Sequence, residues 1–267
     1  MSSILGLYGK QQMPEDKQPK ISIITVCFNE PKENVTLTFD SITSQSYKNT
    51  EWIVIDGGSK PETLEAINAY SNAIDNFVSE PDNGIYDAMN KGLSIASGDF
   101  VIFMNVGDRF YSSETIEQVV DYISANPKYD CYYGDAIVVD KNGKEWERKQ
   151  ARRINRFMLR YTTVCHQAII SRRSIYNSTG GFDINYKIIA DTEWILKSLA
   201  AGAKWFYIGF NVCCFDNTGC SSNKQQLNEE RIRLIKANYN NLELFVYYIA
   251  KRFINLKQRI IGIPKCL

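Results

Sequence analysis

Short apolar runs alternate with amphipathic stretches along most of this chain. ISIITVCF (residues 21–28) is rich in β-branched residues, the pattern of a strand buried on both faces in a parallel sheet. Asn29-Glu30-Pro31 breaks it, and residues 33–46 read as a helix. EWIVIDGGS (51–59) repeats the strand-then-turn pattern. Pro61 stands near the start of a helix over 63–70. A short strand at 76–79, a helix over 85–96 and a strand in DFVIFMNVGD (99–108) continue the β-α order, which predicts an open α/β sheet.

A helix over 114–125 then leads into CYYGDAIVVDKNGKEW, where Asn142-Gly143 between extended runs predicts a hairpin turn. HQAIISRR, GGFD, a helix in IADTEWILKSLAAGAKW and two strands, WFYIG and NVCCF, complete a mixed second half. From Leu227 the chain reads as two helices, with Phe245, Ile249, Phe253, Leu256, Ile260 and Ile263 at three- and four-residue steps. The pattern divides the chain into an N-terminal extension (1–19), an α/β body (20–226) and a C-terminal helical extension (227–267).

Composition excludes several classes. With 267 residues, 44% of them hydrophobic, a deep core is available, and neither disorder nor a small stapled fold is expected. The longest apolar run is seven residues (244–250), far below the ~20 that a spanning helix requires. The first twenty residues lack a basic segment followed by a sustained apolar stretch, so no secretory signal is expected and the chain is placed in the cytosol. Seven cysteines without a CxxC pair, beside a single histidine, supply zinc poorly and read as buried thiols in a reducing compartment. From Arg231 onward there are eight Lys/Arg and one Glu, so the tail is basic and the body acidic.

Ligands of open α/β sheets collect beyond the carboxyl ends of strands. Asn29, Glu30, Asp56, Gly57, Asp82 and Asp108 fall there, and four of these six are carboxylates. Acids crowded on one rim need hydroxyls, base N–H groups or a divalent cation to offset their repulsion, although Asp and Asn also cap helices and open turns. No GxGxxG follows the first strand and no GxxxxGK[ST] occurs, so a nucleotide diphosphate would be neutralised by a cation rather than by a glycine-rich cradle.

The order of ISIITVCFNE, WIVIDGGS, SEPDNGIYDAMNKGLSIASGDFVIFMNVGD, GGFD and ADTEW resembles the family 2 glycosyltransferases of the GT-A fold, over roughly residues 20–222. The resemblance is closest to bacterial enzymes of surface-polysaccharide synthesis. It implies a mixed central sheet with helices on both faces and an inverting, metal-dependent transfer of sugar from a nucleotide diphosphate, UDP above others, to a saccharide or lipid-linked glycan. Phe28 then covers the base, Asn29 and Glu30 line its pocket, Asp56 accepts from the base N–H, and Asp82 and Lys91 wall the ribose and diphosphate.

The family's metal-binding Asp-x-Asp falls on FMNVGD. Asn105 and Gly107 take the usual acid positions, leaving Asp108 to hold Mn2+ or Mg2+ with the donor phosphates. Asp191 matches the catalytic base, with Ala190 in place of the preceding Glu; Glu193 is the fallback. His166 is expected on the acceptor side with Glu193, and Asp216 stands where a later metal-binding His is usual. A non-catalytic sugar-nucleotide or glycan binder is the alternative, supported by the altered Asp-x-Asp. The basic tail fits either an interfacial helix at the inner face of the cell membrane or a helix packed on the body or on a second subunit. No nucleic-acid motif is present.

Overall fold

The computed structural model describes residues 18–139, 145–149, 154–216, 223–249 and 252. The described residues form one nine-stranded mixed sheet, ordered β3-β2-β1-β4-β8-β6-β9-β5 with β7 paired to β6. Strands β1 (Ile21–Cys27), β2 (Thr50–Asp56), β3 (Asn76–Ser79) and β4 (Phe100–Phe103) are mutually parallel. Every residue of β1 is buried because it contributes to two cores: Ile24 and Val26 face one, Ile21, Ile23 and Cys27 the other. The two-residue period of a strand makes this division, with helices covering both faces.

The crossovers are α1 (Lys32–Thr43), α2 (Pro61–Asn68) and α3 (Ile85–Ile95), close to expectation. The expected strand over 99–108 is shorter. β4 ends at Phe103, although Met104 and Val106 still donate to the carbonyls of Ile24 and Val26. Gly107, at φ +98°, then turns the chain toward β5 (Arg109–Phe110), which runs antiparallel to β9. α4 (Thr115–Ala125) leads to β6 (Cys131–Val139), paired antiparallel with β7 (Glu145–Lys149) as a hairpin requires; the Asn142-Gly143 turn lies outside the described residues.

β8 (Ile169–Arg172) runs antiparallel between β4 and β6, and α5 (Arg173–Thr179) follows it. α5 was not expected, since its seven residues carry no sustained periodicity; it ends on Gly180 at φ +76°. After α6 (Ala190–Ala200), the two expected strands WFYIG and NVCCF are one strand, β9 (Trp205–Asp216). Gly209, at φ +76°, and register shifts around Asp135 absorb the break as a bulge.

α7 (Lys224–Asn238) starts on Asn223, whose side chain accepts from the Gln226 N–H. The boundary expected at 226/227 therefore cuts through a helix. Leu234, Ile235, Tyr239 and Tyr247 are buried in the same core as Trp194 and Ile195, so this part of the tail packs on the body. Residues 241–249 form a further helix whose Phe245 and Ile249 are exposed; Phe253, Leu256, Ile260 and Ile263 lie outside the described residues.

Candidate active site

The parallel register carries the ends of β1, β2 and β3 to one edge, with Cys27 opposite Asp56 and Asp56 opposite Ser79. Gly57 N–H donates to the Cys27 carbonyl and Val106 N–H to Val26, so the loops after β1, β2 and β4 leave the sheet side by side.

Asp56 is fully buried at this edge. Its Oδ2 accepts from Gly58 N–H (3.1 Å), Ser59 N–H (2.9 Å) and Ser79 Oγ (2.7 Å). Its Oδ1 is equally buried and has no hydrogen bond. A buried carboxylate oxygen without a donor costs about 1–3 kcal/mol, and Oδ1 is such an acceptor at this edge. Beside it, a Cβ at Gly57 would collide with Asp82 Oδ2 and press on the Phe28 ring, so the glycine lets three loops approach closely. Phe28 is exposed on the rim, and Asp82 accepts from Gly84 N–H (2.8 Å).

Three neighbouring candidates brace loops. Asn29, at φ 53°, accepts from Lys60 N–H through Oδ1 (3.0 Å) and donates its own N–H to Ser59 Oγ (2.7 Å). Glu30 accepts from Asn34 Nδ2 (2.8 Å). Lys91 Nζ donates to the Pro81 carbonyl (2.9 Å) and pairs with Glu80 (2.9 Å), holding the loop that carries Asp82. That pairing raises the lysine's pKa; the Glu80 hydrogen bond is its largest cause.

The Asn105–Asp108 turn rests on α1. Thr38 Oγ1 accepts from Gly107 N–H (2.9 Å) and donates to the Asp108 carbonyl (2.6 Å). Gln167 Nε2 donates to Asp108 Oδ2, while Cys165 Sγ donates to Gln167 Oε1 (2.8 Å) and sits 3.9 Å from Cys213 Sγ. Next to Gln167, His166 Nε2 meets Asn105 Nδ2 at 2.9 Å, and its Nδ1 lies 3.7 Å from Asp191 Oδ2. The turn and the head of α6 are thus joined through one imidazole.

Burial opposes a charge on His166, but Asp191, with Cys165 and Asp108, outweighs it and raises the imidazole above its ordinary value. A neutral ring with its proton on Nδ1, toward Asp191, can accept from Asn105 Nδ2 through Nε2. Asn105 Oδ1 is buried here without a hydrogen bond, and with the amide turned over it would accept from Nε2–H of a protonated ring.

Asp191 is buried in the first turn of α6. Its Oδ1 accepts from Thr192 N–H (2.6 Å) and Thr192 Oγ1 (3.2 Å), and that hydroxyl also donates to Thr163 Oγ1 (2.8 Å). Oδ2 is left toward His166. Glu193, two residues on, points away: it pairs with Lys197 (3.0 Å), and burial raises its pKa despite that lysine. The side chain of Asp216 lies outside what the structure describes.

Among the described residues no three His, Cys, Asp or Glu side chains are grouped to hold a metal. Asp108 is a hard oxygen ligand with one oxygen already held by Gln167, which fits a Mg2+ or Mn2+ ion that shares its shell with phosphates and water, not a pre-formed protein cage. The His166-Gln167 pair resembles an acceptor-side segment in sequence, but the contact of Gln167 with Asp108, 59 residues away, carries no sequence signal.

The profile of the family described as Glycosyl transferase family 2 matches residues 22–185. A PGL/p-HBAD biosynthesis glycosyltransferase of Mycobacterium bovis is 30% identical over 181 residues, 67% of this chain and 63% of that protein, so the chain spans under two thirds of that relative. An uncharacterized glycosyltransferase of Mycobacterium tuberculosis is 32% identical over 212 residues, 78% of this chain and 79% of that one.

In fold, the crystal structure of S. aureus TarS 1–349 in complex with UDP-GlcNAc is similar with a TM-score of 0.65 at 19% identity, covering 82% of this chain and 66% of that one. The mannosyltransferase PcManGT from Pyrobaculum calidifontis, in complex with GDP-Man and Mn2+, is similar with a TM-score of 0.62 at 16% identity, covering 82% and 64%. With its mixed sheet, its strand-end rim and this profile match, the chain belongs to glycosyl transferase family 2 and has the GT-A fold.

Proposed function

We propose that this chain transfers a sugar, with inversion, from a nucleotide diphosphate to a hydroxyl of a saccharide or lipid-linked glycan in polysaccharide synthesis, and that the nucleotide is a uridine. The observation that carries the reading is the line Asn105–His166–Asp191, which sets a carboxylate one imidazole away from the turn bearing Asp108. Asp56 Oδ1 takes the uracil N3–H, and the Phe28 ring lies over the base. Asp82, on the loop braced by Lys91 and Glu80, faces the ribose; Asn29 and Glu30 keep the first loop in place.

Asp108 would hold the cation, which would supply positive charge to offset that of the departing diphosphate. The acceptor hydroxyl gives its proton to Asp191 Oδ2 as its oxygen bonds to the sugar's anomeric carbon; the bond to the diphosphate breaks on the opposite face. His166 holds the base and lines the acceptor side.

What supports a membrane-surface location is the exposed Leu242, Phe245 and Ile249, followed by five Lys/Arg and no acid in residues 250–267. No described helix is long and apolar enough to cross a membrane.

The test is a panel of UDP- and GDP-sugars scored for thermal stabilisation with and without Mn2+, then nucleotide release from the stabilising donor. A working transferase releases nucleotide slowly without acceptor. Stabilisation without any release, with or without glycan, would instead support a sugar-nucleotide-binding relative, which the loss of two acids at Asn105 and Gly107 favours.

A further inference from the structure

α7 lies beyond the residues that the family profile matches, yet its Glu230 reaches the turn that leads to the candidate base. Glu230 is a buried carboxylate whose backbone contacts all lie on the turn leading into α6. Its Oε1 accepts from Lys187 N–H (2.9 Å) and its Oε2 from Ile188 N–H (2.9 Å) and Ile189 N–H (3.3 Å). Gln226 Nε2, one helical turn earlier, donates to Oε1 (3.1 Å) and fixes the carboxylate from behind.

The head of α6 has no side-chain cap of its own, since Ile189 occupies that position. Without Glu230 those three amides, the last of them buried, would lose their acceptor. A carboxylate accepts all three with two oxygens and also suits the positive end of the helix. Asp191 follows the last of them by two residues. Arg231, the next residue of α7, donates to the Arg160 carbonyl (3.3 Å); burial lowers its pKa, and the nearby Asp191 carboxylate opposes that effect.

We infer that Glu230 is a positioning residue for Asp191: by holding the amides of Lys187, Ile188 and Ile189, it sets the direction in which the Asp191 carboxylate meets His166. The inference rests on the assignment of Asp191 as the base and adds that α7 is part of the site. A glutamine at 230 offers one acceptor oxygen and turns an amide N–H toward a backbone donor, so the turn relaxes and Asp191 moves off the ring.

His166 is the only histidine of the chain, so its ring resonances report this contact directly once any affinity tag is removed. The experiment is a pH titration of the His166 Cε1–H signal by NMR in wild type, D191N and E230Q, with thermal unfolding as the check on folding. The groups that bear on the ring are Asp191 from α6, Asn105 and Asp108 from the turn, Cys165 beside it, and Arg231 from α7 through Asp191. D191N should lower the midpoint by about one to three pH units, the range for losing a carboxylate near 4 Å between the bulk-water and near-surface dielectric limits.

E230Q should lower it by at least half as much, with Asp191 unchanged in sequence. A folded E230Q protein that titrates with wild type overturns the inference. If E230Q does not fold, Q226A, which frees the carboxylate without touching the site, takes its place: a smaller drop of the same sign supports the inference, and no drop in the folded protein overturns it. Nucleotide release by D191N reports separately on the base. Full release in D191N with a shifted His166 in E230Q would end the catalytic assignment and leave the positioning intact.

Discussion

Replacing Asp56 by Asn tests the base pocket with little disturbance of the fold. Three donors converge on Oδ2, from Gly58, Ser59 and Ser79, so the amide oxygen must take that position and the NH2 group must take the place of Oδ1. The open acceptor becomes a donor. Uracil presents N3–H at its pairing edge, so a charge-assisted hydrogen bond of about 1.5–3 kcal/mol is lost and two donors face each other. At 1.4 kcal/mol per tenfold, UDP should bind the variant about 10- to 100-fold more weakly.

Cytosine presents N3 as an acceptor, so CDP should gain on UDP in the same variant, narrowing or reversing the preference. Titration calorimetry with UDP and CDP, in Mn2+, on wild type and D56N measures both effects. Because Oδ1 has no partner to lose, the melting temperature should change little. Unchanged UDP affinity in a folded D56N protein would refute the placement of the uracil on Asp56.

Other consequences are open to measurement. Asp191→Asn should cut nucleotide release by about 10²–10⁴-fold, the usual range for a general base, while UDP affinity stays within about twofold. EDTA should abolish release and Mn2+ should restore it; activity that persists after exhaustive chelation would remove Asp108 from its metal role.

Glu51 is buried, and although burial alone would raise its pKa, hydrogen bonds from Ser22, Ser97 and Lys20 hold it at about 2. Its folded value lies below its unfolded one, so its stabilisation is present above pH 4.5 and disappears as pH falls toward about 2. E51Q should therefore melt well below wild type at pH 7, with the gap closing in acid. For the tail, the double change F245E and I249E should reduce binding to anionic vesicles while leaving nucleotide release in solution unchanged; equal partitioning of both proteins would point to packing between copies of the chain.

The parallel half of the sheet was legible because its strands are buried on both faces, and the runs at 21–28, 51–56 and 100–103 therefore carry their own signal. β9 read as two strands because Gly209 and Asn211 look like punctuation, whereas a bulge opposite Asp135 carries the strand through. α5 is too short to show a period. The rim carboxylates could be placed at strand ends from sequence, but the contact of His166 with Asn105 and Asp191 spans 61 and 25 residues and depends on β8 running antiparallel between β4 and β6.

Glu230 was hidden for a related reason. It sits in a polar, weakly amphipathic helix that reads as an appendage, and only tertiary packing shows that its carboxylate ends at the head of another helix. Glu193 is the fallback to Asp191 in sequence; two residues along a helix are enough to send one toward the imidazole and the other toward Lys197.

β4 and β5 are separated by only five residues, yet three strands lie between them in the sheet. Four strand spacings come to about 19 Å, close to the full stretch of such a link, and the reversal at Gly107 shortens that reach. The sheet must therefore roll round until its far edge comes back beside its centre, with the short connection drawn across the gap like a bowstring. Asp108 sits on that string, moored to β1 and β4 at one end and β9 at the other. A distortion of the outermost strand pair would therefore be felt at Asp108, the residue proposed to hold the cation.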